Sequence, residues 1–222
     1  MVRSNIYLLI EFLLLCLALP TYIIVTKSAP FMFTFLWGAM AYCALIYRYR
    51  FFTTWRDLWK WDTVTWVNMK PILIRWVLAC IGMTLFLYFY DASRMFYLVE
   101  HRPQFIMILF MLYPLLSALP QEFIFCSFFF NRYERYFKTG WPMIIASAVT
   151  FAYAHVLYIN PVAPALSLIG GLIFAHTFYK HRSLALVTIE HGLYGNFLFL
   201  LGLGWYFYGG SVVQAAAITT GG

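Results

Sequence analysis

Glu122, His155 and His191 lie inside apolar stretches of this sequence, on three different stretches. A charged group at membrane depth costs at least ~2.5–3.5 kcal/mol on insertion scales, so each is a functional suspect. A carboxylate and two imidazoles meeting from separate helices could act as general acid and base on one water molecule. The same donors suit a zinc ion. A third reading makes each side chain a polar bridge between helices and nothing more. Around them the chain reads Gln121-Glu122-Phe123-Ile124-Phe125-Cys126, then Phe151-Ala152-Tyr153-Ala154-His155, then Glu190-His191-Gly192-Leu193-Tyr194-Gly195-Asn196. Glu11 and Arg75 sit near the ends of apolar stretches, where they are expected to snorkel or to pair with each other. Those two and the buried histidines could also form the relay of a proton-linked carrier, but no repeated half-structure accompanies them.

The elements that must hold these groups follow from composition. The chain has 222 residues, of which 64% are hydrophobic and 10% charged. A soluble domain carries about a quarter charged residues, so a soluble enzyme is excluded, as are disorder, collagen and coiled coil. One transmembrane domain, 1–222, is expected. A membrane helix needs roughly 20 apolar residues, and seven stretches qualify: 6–26, 31–47, 71–90, 105–130, 141–158, 161–179 and 183–206. The predicted fold is an all-α polytopic bundle. The fourth stretch carries Pro114 and Pro120 and reads as a kinked helix. The first holds Glu11 and lacks a small-residue cleavage site, so it reads as a mature span and not a signal peptide.

With the amino terminus in the cytoplasm, eleven Lys and Arg fall in cytoplasmic segments, three (Lys27, Arg94, Arg102) fall outside, and Arg75 lies within a span. This positive-inside bias supports seven spans with the carboxyl terminus out. It also accounts for the net charge of +7 by basic loops facing a bilayer, without a nucleic-acid partner. In the loop 48–70, Phe52, Trp55, Trp59 and Trp66 recur at near-helical spacing among charges, the pattern of an amphipathic helix in the headgroup layer or of an aromatic belt. Cys16, Cys43, Cys80 and Cys126 stand far apart in apolar runs, which argues against a disulfide framework.

The three motifs, in this order and on successive spans, resemble those of the CPBP (ABI) family of CAAX-prenyl-protease and bacteriocin-processing intramembrane endopeptidases, whose pattern is EExxxR, FxxxH and HxxxN or HxxxD. The glycine pair Gly170 and Gly171 and the basic hinge Tyr179-Lys180-His181-Arg182-Ser183-Leu184 fit the same family, and a family-like core spans about 104–206. The resemblance implies a glutamate-type, metal-free intramembrane endopeptidase in a prokaryotic inner membrane, acting on a membrane-associated peptide or a lipidated protein. By position, Glu122 and His155 would activate water, and His191 with Asn196 would stabilise the oxyanion. Phe151 would pack one turn from His155, and Glu190 would orient a neighbour.

Three departures bear on this. Gln121 stands where the family has its leading glutamate, and glutamine can orient a water but cannot take its proton. Cys126 stands where the family has arginine. Gly195 occupies the asparagine position, so Asn196 points about 140° away from His191 on a regular helix, and a π-turn over 191–196 is expected to realign it. These changes keep open a catalytically silent relative that binds a membrane peptide or partner protein as a scaffold.

Overall fold

The computed structural model describes residues 2–208, with side chains from Ile6 onward. The expected outer carboxyl terminus lies outside the described residues. Among the described residues the chain is all helical, with no strand. Seven helices are long and apolar enough to cross a membrane: Ile6–Val25, Ala29–Arg50, Trp66–Arg94, Pro103–Arg132, Trp141–Tyr158, Val162–His181 and Leu184–Leu201. They are called here the first to seventh spans.

Two expectations change. The seventh span stops at Leu201 and not at 206, because Gly202 takes φ +112° and its missing Cβ leaves room for the Arg94 carbonyl. Glycine is the residue that adopts this backbone without steric cost. The helix in the loop 48–70 is short, Trp55–Trp59, and Trp66 already begins the third span. Thr54 caps that helix by accepting from the Asp57 N–H at 3.1 Å. The Thr54 and Thr53 hydroxyls also donate to the Asp57 carboxylate and hold its pKa below the usual value.

The fourth span departs from regular α-helix in two places. A π-turn runs over Pro114–Ala118 and a second over Phe123–Phe128. Proline removes one backbone donor and crowds the preceding turn, and widening the turn relieves that crowding. Within a membrane the displaced carbonyls still need partners. Trp37 Nε1 donates to the Leu116 carbonyl at 3.1 Å, and Ser147 Oγ donates to the Phe125 carbonyl at 2.7 Å. Both bonds tie the fourth span to a neighbour. The fifth and sixth spans meet closely at Gly171, where a Cβ would lie 3.0 Å from Ala148 Cα, the small-residue contact that lets membrane helices approach.

The two ends of the bundle differ. At the end carrying the basic loops, Ser183 Oγ donates to the Trp59 carbonyl at 2.9 Å and the Arg182 guanidinium stands 5.3 Å over the Phe130 ring. Beneath these contacts Phe128, Phe129, Phe130, Tyr133, Phe178 and Leu184 form a buried cluster. Glu11 lies beside it and neither snorkels nor pairs with Arg75, the two outcomes expected from sequence, but pairs with Arg132: both carboxylate oxygens accept from the guanidinium at 2.7 Å. At the opposite end Phe96 N–H donates to the Leu201 carbonyl at 2.8 Å, and Asn160 Nδ2 donates to the Tyr206 carbonyl at 2.7 Å.

Candidate active site

Between these ends lies a cavity of about 870 Å³. Its wall is mostly apolar, and Tyr113, Gln121, His155, His191 and Tyr194 bring polar atoms to it. A mostly apolar hollow with a few convergent polar groups is the usual form of a small-molecule or peptide site.

His155 ends the helix Trp141–Ala154. Its Nδ1 lies 2.7 Å from the Phe151 carbonyl, one turn back. A carbonyl only accepts, so Nδ1 carries the proton and Nε2 is left with its lone pair. Phe151 also touches the ring, with centroids 4.6 Å apart.

His191 is held by four side chains. Its Nδ1–H donates to Glu122 Oε1 at 2.7 Å. Phe174 stacks on the ring at 4.5 Å and 16° between planes, and Phe151 meets it edge-on at 5.7 Å. Its Nε2 lies 3.0 Å from the Tyr113 hydroxyl. Glu122 is buried behind His191 and does not line the cavity. Its second oxygen, Oε2, has no protein partner. The second π-turn begins one residue after Glu122, on the span that also carries Gln121.

Gln121 reaches the cavity wall. Its Nε2 donates to Ser117 Oγ at 2.9 Å, and its Oε1 has no protein partner. Adjacent residues on a helix point about 100° apart, which is how the cavity receives the glutamine and His191 receives the glutamate. Cys126 is fully buried in the aromatic cluster.

The expected π-turn over 191–196 is not formed: the seventh span is α-helical from Leu184 to Leu201. Asn196 is accordingly turned away. Its amide donates to the Phe110 carbonyl at 3.2 Å, and the residue does not line the cavity. Glu190 is buried on a different face, where it forms an ion pair with Arg75 at 2.8 Å, and Arg75 also donates to Thr177. Among the described residues no three His, Cys, Asp or Glu side chains converge to hold a metal ion.

Sequence reading missed Tyr113, which belongs to no motif. One signal was available. Gly195 stands one turn after His191, and a Cβ there would fall within the Tyr113 ring. The glycine clears the space that the phenol occupies. Where the family pattern places an asparagine, this chain places a tyrosine hydroxyl from another span.

No curated protein matches the chain, and no solved structure does. A family model described as "Type II CAAX prenyl endopeptidase Rce1-like" matches residues 103–198. That segment runs from the start of the fourth span into the seventh and contains Tyr113, Gln121, Glu122, His155 and His191. Over these four spans the chain is similar to the Rce1-like family of type II CAAX prenyl endopeptidases.

Proposed function

We propose that this chain hydrolyses a peptide bond in a membrane-anchored polypeptide, with His155 as the general base. Gln121 Oε1 accepts a hydrogen bond from the attacking water, and His155 Nε2 takes its proton. The water oxygen adds to the scissile carbonyl carbon and the carbonyl oxygen becomes the oxyanion. Glu122 accepts from His191 Nδ1–H and fixes the orientation of that ring. His191 Nε2–H then donates to the Tyr113 oxygen, and the phenol's own hydrogen turns toward the oxyanion. When the intermediate collapses, the C–N bond breaks and the imidazolium of His155 gives its proton to the leaving amine. This assignment uses no metal. It moves Glu122 from water activation to support of His191 and leaves Asn196 out.

The observation that carries the reading is the shared cavity: Gln121, His155, His191 and Tyr113 all open onto it. The test is cleavage of a single-span, membrane-anchored reporter peptide in liposomes holding the protein. His155→Gln is expected to slow cleavage by about 10²–10⁴-fold while leaving the melting profile intact. An unchanged rate refutes the assignment. A silent, peptide-binding relative is the second reading, and Gln121 at the cavity wall favours it. It predicts reporter binding without cleavage by the unaltered protein, and binding that survives His155→Gln.

A further inference from the structure

The third span precedes residues 103–198, the segment with the family likeness, yet it holds the seventh span on both sides of His191. Arg75 donates to Glu190 Oε1 at 2.8 Å and to Thr177 Oγ1 of the sixth span at 3.1 Å. The next residue, Trp76, donates from its indole Nε1 to the Leu193 carbonyl at 3.0 Å and meets the Phe197 ring edge-on at 6.3 Å. Two consecutive residues of one span thus reach the residue before His191 and the second residue after it.

Glu190 and Leu193 are three positions apart and share a face of the seventh span. His191 is turned about 100° from Glu190 and about 160° from Leu193, so its ring leaves the helix on the far side. There it meets Glu122 and Tyr113, each of which stands directly before a π-turn of the fourth span. The third span is a single α-helix from Trp66 to Asp91 and is the more regular support. Side-chain tips stand about 5–6 Å from a helix axis, so a rotation of about 20° displaces the imidazole by about 2 Å. Hydrogen bonds of 2.7 and 3.0 Å to Glu122 and Tyr113 do not survive such a shift. The third span opposes it. Glu190 is wholly buried, and a buried charge parted from its partner is costly, so its carboxylate stays on Arg75. The indole N–H has one direction in which to donate, and it fixes the height of the seventh span as well as its rotation.

We propose that Arg75 and Trp76 are positioning residues for His191, holding the seventh span at the rotation that delivers the imidazole to Tyr113 and the cavity. The consequence for rate rests on the hydrolytic reading above, whereas the rotation rests on the hydrogen bonds alone.

Arg75→Ala by itself leaves Glu190 a buried charge without a partner and disturbs folding as well as position. The informative variant joins Arg75→Met and Glu190→Gln, so that neither group is charged, with Trp76→Phe, which keeps a ring against Phe197 and deletes the indole donor. With the membrane-anchored reporter in liposomes, kcat of this triple variant is expected to fall by about 10²-fold, the effect of a displacement of about 1 Å or more. KM is expected to stay near that of the unaltered protein, because the removed contacts touch no substrate, and so is the thermal midpoint. A second readout needs no cleavage. Pro114→Cys and Gly192→Cys are introduced together, in a background whose native cysteines are replaced by serine or alanine. A Cβ at Gly192 stands 3.2 Å from Pro114 Cβ, close to the ~3.5–4.5 Å of a disulfide, so the rate of cross-linking by copper–phenanthroline reports how the seventh span faces the fourth. That rate is expected to drop several-fold when the triple variant is added. An unchanged cross-linking rate overturns the proposal, whether or not any form cleaves. So does a triple variant whose midpoint falls while its kcat per folded molecule is unchanged, the mark of a purely structural tie. A protein that cleaves nothing leaves the cross-link to decide the rotation, and a failed cross-link leaves hydrolysis to the His155→Gln assay.

Discussion

Glu11 and Glu122 are both buried carboxylates facing a nitrogen base, and their surroundings separate a structural pair from a chemical one. Glu11 is saturated. Arg132 grips both of its oxygens, Tyr42 donates to one at 3.0 Å and Tyr133 to the other at 3.3 Å. The pair sits against the aromatic cluster at the basic end. Glu122 has one oxygen on His191 and the other without a protein partner, and its imidazole leads to a hydroxyl on the cavity wall. Arginine stays charged under all relevant conditions, so the first pair can only be made or broken. An imidazole has two ring nitrogens, so the second pair links its carboxylate to the Tyr113 hydroxyl.

The contrast predicts opposite signatures. Glu11→Ala leaves Arg132 buried without its anion, which costs about 3–5 kcal/mol. The thermal midpoint in detergent is expected to fall steeply, with cleavage per folded molecule unchanged. Glu122→Gln keeps an acceptor for His191 Nδ1–H but removes the negative charge. Its midpoint is expected to stay close to that of the unaltered protein while cleavage falls by about 10³-fold. If Glu122→Gln melts early and Glu11→Ala cleaves slowly, the roles are reversed and the comparison fails.

Much of this architecture is legible in the sequence, because hydrocarbon imposes a strict rule. Every span needs its run of apolar residues, and all seven runs appear as helices at the expected places. Pro114 announces the first π-turn in the fourth. His155 and His191 stand out because a polar ring at membrane depth must be satisfied. Pairing is less legible. Glu11 and Arg75 both read as lone charges, yet their partners, Arg132 and Glu190, lie 121 and 115 residues away. Periodicity fixes which face a residue takes only on a regular helix. The second π-turn follows Glu122 directly, and no proline or glycine within it announces it. A π-turn looked necessary at Asn196, and the chain instead supplies a hydroxyl from another span. No motif on one helix can reveal such a substitution across two.

That exchange yields the smallest predicted effect and the sharpest one. Tyr113→Ala removes the phenol and its hydrogen bond to His191, and the loss of one oxyanion donor is expected to slow cleavage by about 10²-fold. Gly195→Asn alone drives its Cβ into the Tyr113 ring, so it is expected to slow cleavage too and to lower the thermal midpoint. Made together, the two changes remove the ring and place a carboxamide one helical turn beyond His191, on the same face of the seventh span. The amide can then donate where the hydroxyl did, and about tenfold of the lost rate is expected to return, with the midpoint restored. Two independent losses would multiply, whereas groups that share one space and one role must not. A double variant no faster than Tyr113→Ala would show that the tyrosine fills room beside the histidine without standing in for the amide.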